Sequence, residues 1–258
     1  MTKNMLGRLA RLEFAPPRYL TLPTAGIDIS ANGVRLAVLE ERMHGLELTQ
    51  YGEAKIPLMA MERGSLTDRL AVVAAVRSLV REHGVRFANI ALPESRSYLF
   101  EASAPDTPEV WRTAIEQHLD EYVPLPPAEV AFDVLRVGAS AGSACLLGVG
   151  YARRVIEETL SVFDEVGVQV RAVESEMFSV SRALLAKGDK ETVLIIDIGR
   201  ASTKIAIVTN RIPRFATTLD VGGHALTVAI QKHFGGTEQE AKRVKEEKGI
   251  VRMEADDE

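Results

Sequence analysis

The sequence predicts an α/β fold made of two similar halves, with a small α+β subdomain inserted into the first. Residues 192–209 form two apolar, β-branched runs around an Asp-Ile-Gly turn, which is the pattern of a hairpin buried in a sheet. Residues 25–40 repeat this pattern, with Asp28 at the position of Asp197, and the repeat indicates an internal duplication. Between the two hairpins, residues 93–166 follow a different order of strands and helices, as expected of an insertion.

The composition limits the class of protein. With 258 residues, 46% of them hydrophobic and 26% charged, the chain is typical of a soluble globular protein of one or two domains. Its formal net charge of −5 argues against a nucleic-acid partner. Cys145 is the only cysteine, which excludes an intrachain disulfide and favours a reducing, cytosolic setting. The apolar runs are shorter than the roughly eighteen residues of a membrane span, so none is predicted.

Before the first strand, residues 1–24 form a basic leader. Its lysine and arginines are interleaved with apolar residues at near-helical spacing. The segment lacks the continuous apolar stretch of a signal peptide. The pattern favours a frayed terminus over the alternative, which is a short amphipathic helix lying on an anionic membrane surface.

The first half is predicted to be a three-stranded meander followed by a helix and a strand. Asn32 and Gly33 indicate a type I′ turn between the first two strands, and 46–56 is the third strand. Ser65 is the expected cap of the helix that follows. Residues 87–92, ended by a proline, complete the unit as a buried strand.

The inserted block has its own elements. A strand is predicted over 96–102, and a helix over 107–123 starts with a proline at its first position. After a stiff proline-rich segment, 130–137 and 144–151 form a hairpin over a loop of small residues. A helix over 152–166 ends the block.

The second half repeats the meander, since 215–219 adds a third strand to the hairpin at 192–209. A helix is predicted over 224–234, and Thr237 with Glu240 forms a capping-box pattern for another. These boundaries divide the chain into a basic leader (1–24), a first domain (25–92 and 167–190), an inserted subdomain (93–166), a partial second domain (191–249) and an acidic tail (250–258).

The turn after Asp197 is a candidate phosphate site. A carboxylate at a strand tip, the adjacent Gly199 and the hydroxyls of Ser202 and Thr203 suit the binding of a phosphate and its metal. The alternative is an ordinary buried hairpin whose aspartate satisfies its own turn. The repeat around Asp28 favours the functional interpretation.

Gly222 and Gly223, just before a predicted helix, form a second candidate. Glycines there leave backbone N–H groups approachable, so the helix start is an anion site or simply a tight turn. Both interpretations stay open.

Several longer segments carry a more specific signal. They are G-I-D-I-S-A-N-G-V-R-L-A-V-L-E, I-A-L-P-E-S, E-Y-V-P-L-P-P-A-E-V-A-F-D-V, V-E-S-E-M-F-S-V-S-R-A, D-I-G-R-A-S-T-K-I-A-I-V, D-V-G-G-H-A-L-T-V-A-I and E-Q-E-A-K-R-V-K. Together they resemble the actin-like ATPase superfamily and, within it, the PilM family of type IV pilus assembly proteins, over residues 26–249. The resemblance implies duplicated actin-like (ribonuclease H-like) domains, with a 1C-type insertion and an incomplete second domain.

The resemblance also implies a cleft in which two phosphate loops hold ATP with Mg2+ between them. Two features depart from the family: Ser30 and Ala31 replace its usual glycine and serine, and Arg35 stands where lysine is common. The implied ATP-binding residues are Asp28, Ser30, Arg35, Asp197, Gly199, Ser202, Thr203, Gly222 and Gly223, and those implied for Mg2+ are Asp28 and Asp197.

The family's adenosine-binding glycine motif does not follow the last predicted helix, so the chain is expected to be a fragment or a naturally curtailed protein. It is then expected to bind ATP weakly or not at all, and to be at most a weak ATPase. The second meander is expected to expose apolar surface, because few elements remain to cover it.

As partners, the resemblance implies the N-terminal cytoplasmic tail of PilN, the inner-membrane PilN/PilO complex and pilus motor ATPases. The tail would lie in a groove between the first domain and the inserted subdomain, and it would place the chain in the cytoplasm at the inner membrane. Two alternatives remain: an FtsA-like cell-division protein, and a small-molecule kinase of the actin and sugar-kinase superfamily. A kinase would need a catalytic base, and 30–36 contains no acid.

Overall fold

The computed structural model describes residues 23–42, 45–57, 59–140 and 142–249, and it shows a mixed α/β fold. The acidic tail and all but the last two residues of the basic leader lie outside the described residues. The strands are β1 (Ala25–Ser30), β2 (Gly33–Arg42), β3 (Gly45–Ala54), β4 (Met61–Glu62), β5 (Ser65–Leu66), β6 (Phe87–Leu92), β7 (Tyr98–Pro105), β8 (Val130–Ser140), β9 (Ser143–Ala152), β10 (Gln169–Ser175), β11 (Thr192–Ile198), β12 (Thr203–Thr209) and β13 (Ile212–Leu219). The α-helices are α1 (Arg69–Glu82), α2 (Pro108–Glu116), α3 (Leu119–Tyr122), α4 (Arg153–Val166), α5 (Glu176–Leu184), α6 (Gly223–Phe234) and α7 (Glu238–Lys248).

The first half forms a five-stranded sheet in the order β10-β6-β1-β2-β3. The meander β1–β3 is antiparallel, whereas β6 and β10 pair in parallel beside β1. Helices α1 and α4 cover one face of this sheet and share its apolar core, in which Val76 and Phe163 are fully buried. Glu165 of α4 binds Arg69 and Arg77 of α1, at 2.7 and 3.1 Å, and so fixes the two helices side by side.

Two local predictions in this half are wrong. The cap of α1 is Asp68, whose carboxylate accepts from the Ala71 N–H at 3.0 Å, because Ser65 is already part of β5. The first turn is not type I′ at Asn32 and Gly33, since Ser30 pairs with Gly33 and only Gly33 of these residues has a positive φ. Glycine is needed at position 33 for a different reason: a Cβ there would lie only 2.5 Å from the carbonyl oxygen of Ala54.

The inserted block is built on a three-stranded antiparallel sheet in the order β7-β9-β8. Helices α2 and α3 pack on one face, around Phe100, Ile115 and Phe132. The single helix predicted over 107–123 is two helices, because the His118 N–H closes a tight turn on the Ile115 carbonyl at 3.1 Å. The last helix of the block, α4, packs along α1, and its first turn also packs on the end of β9, where Val155 and Tyr151 share a small apolar cluster.

The second half forms a separate three-stranded antiparallel sheet in the order β11-β12-β13. Helix α5 covers one face, where Met177 packs on Ile195 and its neighbours. On the other face, Leu194, Ile196 and Ile198 are 61%, 54% and 65% exposed, so this meander exposes apolar surface as expected. Among the described residues, none of the helices has the length and apolar character needed to span a membrane.

Candidate functional site

The two predicted aspartates occupy equivalent positions in the two hairpins. Asp28 on β1 lies directly across from Arg35 on β2, and Asp197 on β11 lies directly across from Lys204 on β12. The duplication inferred from the sequence therefore includes a basic residue opposite each aspartate. The two basic residues differ in surroundings: the Arg35 side chain is 39% exposed and reaches Glu53 at 3.4 Å, whereas the Lys204 side chain is 13% exposed.

Lys204 lies among three carboxylates. Its Nζ donates to Glu176 at the start of α5 and to Asp197 Oδ2 at 3.4 Å, and Asp28 acts on it electrostatically. Burial alone would favour the neutral amine, but these three carboxylates outweigh it and raise the pKa of Lys204. Three acids thus share one ammonium ion.

Burial disfavours ionisation of two of these acids, Asp28 and Glu176. Burial raises the pKa of Asp28, and repulsion from Asp197 adds to it, while Lys204 and Arg35 oppose the shift. Burial likewise raises the pKa of Glu176 against the attraction of Lys204, with Asp28 and Asp197 adding repulsion. Asp28 and Asp197 both lie close enough to Lys204 to act on it electrostatically, so the structure brings the two predicted aspartates into one cluster.

This cluster does not have the form of a magnesium site. Mg2+ requires oxygen ligands at about 2.0–2.1 Å in near-octahedral geometry. Here the ammonium of Lys204 already occupies the space between Glu176 and Asp197. Across the described part of the chain, no three or more His, Cys, Asp or Glu side chains are grouped so that they could hold a metal ion.

The turn after Asp197 is closed by the main chain. The Gly199 N–H donates to the Ser202 carbonyl at 2.9 Å, and Thr203 Oγ1 donates to the Val221 carbonyl at 2.6 Å. The carbonyl of Gly199 in turn accepts from the Gly223 N–H at 2.9 Å. The hydroxyl of Thr203 is thus already engaged in joining the turn to the start of α6.

The start of α6 packs tightly on that turn. The His224 N–H donates to the Arg200 carbonyl at 2.9 Å, so the two N–H groups of Gly223 and His224 are bonded to the neighbouring turn. Gly222 has no room for a side chain, since a Cβ there would lie 2.5 Å from the Arg200 carbonyl oxygen. Close packing therefore accounts for Gly222, whereas a Cβ at Gly223 would lie at an ordinary contact distance of 3.6 Å from Lys245 Nζ.

A cavity of about 360 Å3 opens where the two aspartate turns face each other. Ser30 and Ala31 line it from the first turn, and Ser202 and Lys204 line it from the second. The β4–β5 hairpin forms another wall, and its Arg63 reaches Asp220 of the second half at 3.2 Å. Ser30 Oγ donates to the Gly33 carbonyl at 3.3 Å and so stays within its own turn.

A second cavity of about 360 Å3 lies between the Asp197 turn and helices α6 and α7. Lys245 of α7 is one of its walls, and its Nζ donates to the Gly223 carbonyl and to Thr227 Oγ1, both at 2.9 Å. Through these two bonds Lys245 ties α7 to α6. The capping box of Thr237 and Glu240 at the start of α7 is confirmed.

A groove of about 640 Å3 lies between the inserted sheet and the first domain. Side chains of β8 and β9 form one wall, and side chains of β6, β10, α4 and α5 form the other. The apolar residues lining it are Leu92, Ala131, Phe132, Val134, Leu135, Leu147, Val149, Ile156, Val173 and Phe178.

Glu94 lies between this groove and the cavity at the aspartate turns. It is only 6% exposed, and its carboxylate accepts from Ser175 Oγ, from Ser97 Oγ at 2.6 Å and from the Met177 N–H at 3.3 Å. Sequence reasoning missed Glu94, Glu176 and Lys204 as site residues. A signal was present, because all three occur inside the quoted motifs.

The comparisons with known proteins point to one family. A family model described as type IV pilus assembly protein PilM matches residues 26–253. The cell division protein FtsA of Streptococcus pneumoniae is 23% identical, with 80% of this chain and 51% of FtsA covered. The chain thus spans about half the length of that curated relative.

Two solved structures share the fold. A PilM–PilN type IV pilus biogenesis complex superposes with a TM-score of 0.74 at 19% identity, covering 88% of this chain and 70% of the other. MreB5 of Spiroplasma citri bound to ADP superposes with a TM-score of 0.53 at 14% identity, covering 92% and 65%. At such identities the likeness establishes an actin-like fold.

Proposed function

The chain belongs to the PilM family of type IV pilus assembly proteins, and from this premise we propose that it is an actin-fold scaffold that binds the N-terminal cytoplasmic tail of PilN. The observation that carries the proposal is the apolar groove between the inserted sheet and the first domain. Its size and its largely apolar lining suit a short extended peptide.

Two strand edges border the groove. Strand β8 is the last strand of the inserted sheet, and β10 is the last strand of the first sheet. The outer edge of each therefore carries backbone N–H and C=O groups that no other described strand pairs. An extended peptide can add to such an edge through main-chain hydrogen bonds while its side chains fill apolar pockets.

The pockets follow from the alternation of side chains along β8. Val130 and Phe132 belong to the core of the inserted block, and Phe132 also lines the groove at the edge of β8, whereas Ala131, Asp133 and Leu135 point to the other face. Leu135 is 45% exposed there, a large apolar side chain available to a partner. We take it as an anchor contact for the tail.

Three charged side chains lie among the apolar walls of the groove. Arg112 lies over the Phe132 ring at 5.0 Å, and its Nη1 donates to the Phe132 carbonyl at 3.5 Å. Asp133 and Glu174 supply carboxylates, and Glu174 also accepts from Ser179 at 2.7 Å. A mainly apolar tail with a few charged residues fits these walls.

Binding of a fluorescein-labelled peptide with the sequence of the PilN tail tests the proposal. Fluorescence anisotropy is expected to show saturable binding to the wild-type chain. Leu135→Arg is expected to weaken it by about tenfold or more, because it removes an apolar contact and places a charge in the groove. Leu46→Arg is the matched control, since Leu46 is an exposed leucine on β3, at the opposite edge of the first sheet. Equal binding by both variants would place the tail elsewhere.

Bound in this way, the chain would be a cytoplasmic protein held at the inner membrane by the PilN/PilO complex. We also propose that it contacts the pilus motor ATPases. The family match favours pilus assembly over the cell-division and kinase alternatives.

Nucleotide binding is the second candidate, and the paired aspartate turns favour it. We propose that ATP binds the cavity between them only weakly, because the ammonium of Lys204 and the hydroxyl of Ser30, which both line it, are already bonded within the chain. Titration with a fluorescent ATP analogue is expected to give no micromolar binding. Micromolar affinity would contradict this proposal and leave the one for the PilN tail intact.

A further inference from the structure

The cluster at the two aspartate turns contains a cation supplied by the chain itself. Lys204 carries three N–H donors and no acceptor, and it contacts Glu176 and Asp197 from a position that is 13% exposed. The Glu176 side chain is 15% exposed, so the pair is shielded from water on both sides. Such an ammonium ion is a fixed part of the fold rather than a mobile surface charge.

Comparison of the two hairpins shows that this placement is specific to the second. Arg35 holds the position equivalent to Lys204, yet its guanidinium lies at the surface beside Glu53. One basic residue of the duplicated pair therefore points outward and the other points into the cleft. Glu176 at the start of α5 supplies the closest carboxylate to the inward one.

From this arrangement we propose that the ammonium of Lys204 takes the place of a divalent cation between the two aspartate turns, so that the wild-type cleft does not bind Mg2+. The carboxylates of Glu176 and Asp197 accept hydrogen bonds from the ammonium. Mg2+ would have to displace the ammonium before it could bind these oxygen atoms at about 2.0–2.1 Å. In their present positions the described carboxylates do not form a metal site, but removing the ammonium leaves Glu176 and Asp197 without their shared cation, so that a divalent cation can draw them together with Asp28. The proposal depends neither on the peptide groove nor on nucleotide.

Mn2+ alone is the probe, and its binding is measured by the loss of the free-ion signal in electron paramagnetic resonance. The wild-type chain is expected to show no stoichiometric binding below about 1 mM. Lys204→Met, which keeps the length of the side chain, is expected to bind one Mn2+ about tenfold or more tightly than wild type. Adding Glu176→Gln to that variant is expected to remove the gain. Lys245→Met is the matched control, because Lys245 bonds a carbonyl and a hydroxyl rather than carboxylates.

Two results would overturn the proposal. One is stoichiometric Mn2+ or Mg2+ binding by the wild-type chain, a measurement that needs no substitution. The other is a Lys204→Met variant that binds Mn2+ no more tightly than wild type. If Lys204→Met is too unstable for titration, Lys204→Gln replaces it, and thermal unfolding with and without Mn2+ is the readout: Mn2+ is expected to raise the melting temperature of the variant and not that of wild type. An equal shift for both also contradicts the proposal.

Discussion

The β1–β2 and β11–β12 hairpins have the same register and opposite surroundings. Ile27 and Ile196 each precede the aspartate of their hairpin, yet Ile27 is 3% exposed and Ile196 is 54% exposed. The difference arises because α1 and α4 cover the Ile27 face of the first sheet, whereas α5 covers the opposite face of the second sheet, around Ile195. A repeated strand pattern thus fixes a hairpin, but the elements packed on it decide which face becomes core.

The helices that follow the two meanders explain this difference. Helix α1 buries six residues, including Val72, Val76 and Val80, against the first sheet. The corresponding helix of the second half, α6, buries only Thr227 and is joined to α7 through Lys245. The apolar face of Leu194, Ile196 and Ile198 is therefore left open among the described residues.

The largest expected effect comes from truncating the two matched isoleucines. Ile27→Ala is expected to lower the free energy of unfolding by about 3–4 kcal/mol, because it leaves a cavity in a packed core. Ile196→Ala is expected to lower it by less than about 1 kcal/mol, since half of that side chain is already in water. Urea unfolding followed by circular dichroism measures both. Equal losses would show that the second face is covered.

A smaller difference is expected between the two matched basic residues. Lys204→Met should lower the free energy of unfolding by roughly 2 kcal/mol, because it leaves shielded carboxylates without their counter-ion. Arg35→Met should change it by less than about 1 kcal/mol, as is usual for an exposed ion pair. Both variants are unfolded in urea with EDTA present, which removes divalent cations. A larger loss for Arg35→Met would contradict the assignment of Lys204 as the inward cation.

The smallest effect concerns pH. Burial raises the pKa of Asp28 above its usual value of 3.8, so the folded state binds more protons than the unfolded state as the pH rises above that value. The free energy of unfolding therefore falls as the pH rises from 3.8 to the pKa that Asp28 has in the folded state. Asp28→Asn is expected to raise the melting temperature at pH 7, with a difference that shrinks towards pH 4. A variant that is less stable than wild type at pH 7 would show that the ionised carboxylate is favourable there.

The sequence predicted what local patterns determine. The meanders of both halves follow from alternating apolar runs, and the capping box of α7 follows from Thr237 and Glu240. The equivalent positions of Asp28 and Asp197 in the two hairpins follow from the repeated motif. These features depend on residues close together in the chain.

Features that depend on distant contacts could not be predicted. Lys204 and Glu176 are 28 positions apart, and nothing in either segment indicates that α5 brings the glutamate to β12. The groove is lined by β8 and β10, which are also far apart in the sequence, so no short sequence pattern indicates that their side chains line one groove. The cap at Asp68 was missed because both Ser65 and Asp68 are good caps, and the β4–β5 pairing decided between them.

Amide hydrogen exchange of the chain with and without the PilN tail tests the central claim most directly. A tail bound in the groove is expected to slow exchange along the outer edges of β8 and β10, because added main-chain hydrogen bonds protect their N–H groups. Exchange in the β11–β13 sheet, with its open apolar face, is expected to stay unchanged. Protection that appears in the second sheet and is absent from β8 and β10 would contradict the account.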